Sequence, residues 1–261
     1  MQPHKSEYWL FPKIDNWDTF CDRVNLVSDF IETAIENKDP NIHVISVDEK
    51  TGIQAIERHQ SKAPVNKGGH TRGEYEYERH GTTTLIAGVN VSNGAIINAH
   101  IQPTRNEQGF GNFIKETVSM LPEMDKIVFL ADQLNTHLSE TLVRFIAEEA
   151  GYTRESLGTK GEIGILKNID THREFLECEH HRVRLIYTPK HCSWLNPIEN
   201  WFAKLQRHVI KNGNFLSIKE LIDKIKSYIA FYNVRLAKPL KWKFKGFEKA
   251  KQLFNIIMRN L

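Results

Sequence analysis

Residues 44–48 read Val-Ile-Ser-Val-Asp and residues 127–132 read Ile-Val-Phe-Leu-Ala-Asp, two short apolar runs that each close on an aspartate. Runs of this length, rich in β-branched side chains, predict buried strands. A third run, Val183-Arg184-Leu185-Ile186-Tyr187, predicts another, and Glu199 follows it just past Pro197. Proline's fixed φ suits the first turn of a helix. Open α/β sheets gather their ligands outside the carboxyl ends of the strands. Asp48, Asp132 and Glu199 are therefore expected at one place, each at the tip of an element. Three clustered carboxylates are a donor set for a divalent metal engaged in phosphoryl chemistry.

Working outward, Phe20, Val24, Val27, Ile31, Ala34 and Ile35 fall on one face of a helix spanning about 17–37. A polar stretch over 58–80, carrying Lys67-Gly68-Gly69-His70 and Arg72-Gly73, follows the Asp48 strand. Strand-like runs from Thr82 to Val91 and from Ala95 to Ile101 are joined by Ser92-Asn93-Gly94, a hairpin signal. A helix over about 107–121 leads into the Asp132 strand, and Leu138 to Ala150 reads as another. Gly151, Gly158, Gly161 and Gly164 mark 151–182 as a loop-rich insertion, and helices are predicted near 197–211 and 217–233, the second capped by Ser217. The expected division is a helical lead-in over 1–40, an α/β domain over 41–235 and a basic tail over 236–261. The order β-β-β-α-β-α-β-α is that of a ribonuclease H-like domain, a mixed sheet flanked by helices. That fold keeps acidic residues on its first and fourth strands and on a helix after the last strand, the positions of Asp48, Asp132 and Glu199.

The chain has 261 residues, 40% of them hydrophobic, enough for a sizeable core. No apolar stretch approaches the roughly 20 residues of a membrane span, and the first residues lack the apolar core of a signal peptide. A cytoplasmic, nucleoid-associated protein without membrane contact is expected. The three cysteines, Cys21, Cys178 and Cys192, are scattered, which argues against a disulfide framework. The net charge of +3 hides an asymmetry: residues 201–261 hold 14 Lys/Arg against 3 Asp/Glu, and residues 1–200 hold 21 against 29. A basic segment beside a carboxylate site suits a polyanionic substrate, although a solvated helical face would carry the same charges.

Three blocks of the sequence resemble the DDE transposases of bacterial insertion sequences in the Tc/mariner superfamily. VISVDEKTGIQA is similar to the first-Asp block, FLADQLNTH to the second, and YTPKHCSWLNPIENWFAKLQR to the final-Glu block. The likeness continues through GNFLSIKELIDKIKSYIAFYN and KPLKWKFKG. It implies a catalytic triad of Asp48, Asp132 and Glu199 that holds two magnesium or manganese ions, with Asp48 bridging them. It also implies cleavage of DNA at transposon ends followed by transfer of the freed 3′-hydroxyl to target DNA. Asn135, His137, Lys50, Arg105, Lys190, His191 and Asn196 are supporting or DNA-contacting candidates. Gln133 departs from the asparagine many relatives carry. Fewer than 45 residues precede the first catalytic strand, so the chain resembles a catalytic half whose helix-turn-helix half is separately encoded, and a homodimer would synapse two ends.

Other readings stay open on the sequence alone. A ribonuclease H-like nuclease or a catalytically silent DNA-binding remnant would share these blocks. Cys178-Glu179-His180-His181 with His191-Cys192 could make a structural zinc site, though no C-x-x-C pair is present. Lys241-Trp242-Lys243-Phe244-Lys245 could grip DNA or pack one face on the domain. Asp48 and Glu49 are neighbours on a strand and must point to opposite faces, so only one is expected at the site.

Overall fold

The sheet has five strands: β1 (Ile42–Arg58), β2 (Tyr77–Asn90), β3 (Ile96–Gln102), β4 (Lys126–Ala131) and β5 (Val183–Tyr187). Their spatial order is β3-β2-β1-β4-β5. The β1–β2 and β2–β3 pairs are antiparallel, and β1–β4 and β4–β5 are parallel. This is the mixed ribonuclease H-like sheet that the element order predicts. The structure is a computed structural model and describes residues 14–36, 39–58, 63–64, 71–72 and 76–247.

Among the described residues six α-helices cover the sheet: α1 (Trp17–Ile35), α2 (Glu107–Ser119), α3 (Glu140–Glu149), α4 (Ile169–Leu176), α5 (Ile198–Leu205) and α6 (Ile218–Arg235). Strand alternation divides the core. Ile45, Val47, Phe129 and Leu185 face one side, where Phe110, Phe113 and Ile114 of α2 and Leu142, Val143 and Ile146 of α3 bury them. Val44, Val128, Leu130 and Ile186 face the other side and meet Val24, Val27 and Ile31 of α1. Trp201, Phe202 and Leu205 of α5 join Leu221 and Ile225 of α6 over Leu85, Ala87 and Val89 of β2. The expected cap is in place: the Ser217 side chain accepts from Glu220 N at 3.1 Å; Asn106 caps α2 in the same way, accepting from Gly109 N at 2.7 Å.

Three expectations need correction. The first strand does not stop at Asp48 but runs on to Arg58, and β2 begins at Tyr77, inside the stretch taken as polar loop. Ile53 and Ala55 drive the extension, since both are buried with Phe215 and α6. A bulge between Lys50 and Ile53, with Gly52 at φ +65°, lets the strand bend there. Segment 151–182 is not only loop: it contains α4, whose Asn168 side chain and Thr171 form a reciprocal cap. The helix expected over 197–211 is α-helical only to Leu205 and continues as a π-turn over Gln206–Ile210. The Lys67–His70 run lies outside the described residues, as does the basic tail beyond 247.

The Ser92-Asn93-Gly94 turn does join β2 to β3, with Gly94 N donating to Asn90 O at 2.8 Å. Gly94 has φ +74°, and a Cβ there would come within 2.0 Å of Lys238 O. Beyond that contact, residues 240–247 return to α1. Asn25 exchanges two hydrogen bonds with the Phe247 backbone, at 3.0 and 2.7 Å, and Lys245 pairs with Glu32 at 2.7 Å. Trp242 and Phe244 pack inward while Lys241, Lys243 and Lys245 stay exposed, so this run packs one face on the domain.

Candidate metal centre

The parallel register brings the two aspartates together. The last paired residues of β1 and β4 are Ser46 and Leu130. Asp48 lies two residues further along β1, on the face of Ser46, and Asp132 lies just past the end of β4 at Ala131. Asp48 is thus in the middle of β1, still opposite Ala87 of β2, rather than at a strand tip. What ends at this level is the neighbour on its other side. Glu199 sits in the first turn of α5, on the same face of the sheet.

Asn196 ties the third element to the first. Its side-chain nitrogen donates to Val47 O and to Asp48 Oδ2, both at 3.1 Å, and its oxygen accepts from the Ser46 hydroxyl. Ser46 Oγ in turn accepts from Ile198 N at 2.9 Å, at the start of α5. Asn196 and Ser46 are both buried, so each donor left unmet here would cost about 1–3 kcal/mol. The network fixes α5, and with it Glu199, relative to Asp48.

His137 holds Asp132. Its Nδ1 lies 2.7 Å from Asp132 Oδ1, its ring is fully buried, and it stacks on Phe110 with centroids 4.0 Å apart. Tyr187 donates to the His137 carbonyl at 2.7 Å, and Leu134 N donates to Asp132 Oδ1 at 3.1 Å. Gln133 bridges the ends of β4 and β5 by donating to Thr188 O at 2.9 Å. One ligand atom each from Asp48, Asp132 and His137 lies within 4.8 Å of the others. Glu199 stands outside that tight group, yet its charge acts on Asp48 and it feels Asp132 in turn.

The electrostatics separate the carboxylates. Burial, and then the charge of Asp132, push Asp48 up to about 6. Glu199 is also raised, first by burial and against the nearby Lys50. Burial works in the same direction on Asp132, but the hydrogen bond and charge of His137 outweigh it and leave that group below its ordinary value. Two carboxylates that resist ionisation for want of positive charge, beside a third already ionised, fit a hard divalent cation.

Sequence reasoning missed Glu49. It does point away from Asp48, but its side chain is only 1% exposed, and among the described residues neither oxygen finds a hydrogen-bond donor. Arg105 Nε lies 3.5 Å away, and burial raises the Glu49 carboxyl while His137 and Arg105 oppose it. The clue was the apolar alternation Ile45, Val47, Glu49, which puts an acid on a core face. Of the supporting candidates, Asn196, His137, Arg105 and Lys50 act on the acidic group. Among the described contacts, no hydrogen bond or ion pair joins Asn135, Lys190 or His191 to it. His191 instead adopts φ 59° in the turn after β5. Among the described residues the Cys178–His181 and His191–Cys192 groups form no metal-binding cluster; Cys192 is buried beside α1.

Residues 43–222 match the family described as DDE superfamily endonuclease. The chain belongs to that family. The match spans both aspartates and Glu199. Solved structures similar to the chain include the Mos1 mariner paired end complex with Mn, at TM-score 0.51 and 14% identity, covering 87% of this chain and 59% of that one. The Mos1 strand transfer complex gives TM-score 0.51 at 13% identity, over 86% and 58%. At such identities the likeness concerns the fold. The chain spans about three-fifths of the length of those chains. No curated protein matches it.

Proposed function

We propose that the chain is the catalytic portion of a Tc/mariner-type transposase, which cleaves DNA at the ends of a mobile element and joins the freed 3′-hydroxyl to target DNA. The observation that carries this reading is the gathering of Asp48, Asp132 and Glu199 where β4 ends in a ribonuclease H-like sheet, in a chain of the DDE endonuclease family. Asp48, Asp132 and Glu199 would hold a pair of magnesium or manganese ions. When bound, such ions polarise the phosphodiester and stabilise the attacking and leaving oxygens of an in-line displacement.

The remaining chemistry belongs to the chain. Asp48, Asp132 and Glu199 offer carboxylate oxygens from three separate elements. His137 keeps Asp132 ionised and fixes its orientation. Asn196 keeps Asp48 oriented by donating to one oxygen and leaves Oδ1 to the Glu49 amide, at 2.7 Å. Arg105 and Lys50 supply positive charge at the rim, where a phosphodiester strand would approach. On this reading the partner is DNA at transposon ends and at the target. A separately encoded helix-turn-helix half would add recognition of the ends, and a homodimer would bring two ends together.

The test incubates the chain with magnesium or manganese and end-bearing oligonucleotides, with and without a supplied helix-turn-helix half. Nicking or strand transfer that disappears in Asp48→Ala and Glu199→Gln is expected. DNA binding without cleavage in either metal would refute the catalytic reading.

A further inference from the structure

A groove of about 540 Å³ opens beside the acidic group and shares Glu199 with it. Its lining includes Glu199, Trp194, Trp242 and three lysines, Lys204, Lys238 and Lys241. Its volume falls in the range of sites that enclose a small organic group. Trp194 is 50% exposed, although Phe244 packs edge-on against it at 5.2 Å. Lys204 lies 5.5 Å over the Tyr232 ring, and among the described residues none of the three lysines pairs with a carboxylate. The walls come from two parts of the chain that meet only in the fold: the turn and helix bearing Glu199, and the end of α6 with the extended segment 238–242.

We infer that this groove holds an unpaired nucleotide of the DNA strand adjoining the phosphate that is cut. Uncommitted lysines beside exposed indole attract phosphates and stack bases without reading sequence. A duplex would not use the indole, because its base faces are occupied by their own neighbours; an unpaired base presents a free face. Glu199 belongs to both the groove and the carboxylate cluster, so a base lodged here lies within one or two nucleotides of a phosphate at the metal centre. Asn196 lines the same groove while bonded to Asp48. The site thereby links strand opening at the cut to placement of the phosphate. This inference rests on the reading of the chain as a DNA-cleaving enzyme.

The experiment compares binding of a short labelled duplex, blunt or with a single-stranded overhang, by fluorescence anisotropy in calcium. The wild type is expected to prefer the overhang by about tenfold, the size of one base–aromatic stack. Trp194→Ala should reduce the preference to about twofold or less and Trp194→Phe should restore most of it, with thermal melting used to verify folding. Lys241→Ala should weaken both DNAs similarly. In a second readout, 5-iodouracil in the overhang should crosslink to peptides containing Trp194 or Trp242. A preference that Trp194→Ala leaves intact, or crosslinks that map elsewhere, overturns the inference. Cleavage in magnesium is scored on the same DNAs. Asp48-dependent cleavage with an overhang preference indifferent to Trp194 sinks the groove alone, whereas a Trp194-dependent preference without cleavage sinks the catalytic reading and keeps the groove.

Discussion

Replacing Asp48 by asparagine should stabilise the metal-free protein near neutral pH. The carboxyl is pushed up from 3.8 to about 6 in the folded chain, a difference worth about 3 kcal/mol between its two protonation states. The folded value lies above the unfolded one, so the fold favours the protonated form. The group's stabilising contribution is therefore full below about pH 4 and lost as pH rises through about 6. Asp48→Asn removes the charge but sets an amide against the Asn196 amide nitrogen, which now donates to Oδ2 at 3.1 Å. That lost hydrogen bond costs about 1 kcal/mol. The net gain is about 2 kcal/mol near pH 7.5, or about 4–8 °C in Tm for a domain of this size. Near pH 4.5 the wild-type penalty has shrunk to about 1 kcal/mol and the two proteins should melt together. The assay is thermal or urea unfolding in EDTA at both pH values. Manganese added at the higher pH should raise the Tm of the wild type and leave the variant where it was. A variant no more stable than wild type near pH 7.5, or a gap that persists unchanged near pH 4.5, would refute the account of Asp48.

Two further outcomes follow. His137→Phe keeps a ring on Phe110 and removes the unpartnered Nε2, which offsets the lost Nδ1 contact with the partly exposed Asp132, so stability should stay within about 1 kcal/mol. Manganese affinity measured by calorimetry should nevertheless fall about 10–100-fold, as for other lost supports of a ligand; an unchanged affinity would show that Asp132 needs no such support. Gly94→Ala forces a side chain into a positive-φ turn and against Lys238 O, and should lower stability by more than about 1 kcal/mol. Limited proteolysis should then cut near Lys238 sooner than in the wild type, and equal cleavage rates would argue against the turn as the anchor of that segment.

The sheet and the triad were legible because the apolar runs are short, β-branched and closed by an acid, and because Pro197 announces a helix start just before Glu199. The extension of β1 to Arg58 was not, since its inward residues, Ile53 and Ala55, alternate with Lys, Thr and Gln and gain their partners from Phe215 and α6, about 160 residues on. Helix α4 hid among glycines, with a cap of Asn168 and Thr171 that local apolar pattern does not reveal. At the site, the roles of His137 and Asn196 depend on contacts across strands, so proximity to an aspartate in sequence could flag the first but not explain it. Glu49 was discounted by a correct rule of alternation, which says where a side chain points but not that the far face holds Arg105 within reach.

The hydrogen bonds from Asn196 back to β1 also have a consequence in time. They close a loop of 150 residues. During synthesis at about 5–20 residues per second, the first aspartate leaves the peptidyl-transferase centre some 8–30 s before the loop can close. Until then β1 can pair with β2 and later with β4, but Glu199 does not yet exist to join them. A nascent chain that has not yet reached Glu199 therefore lacks the third carboxylate, and the full acidic set comes together only late in synthesis.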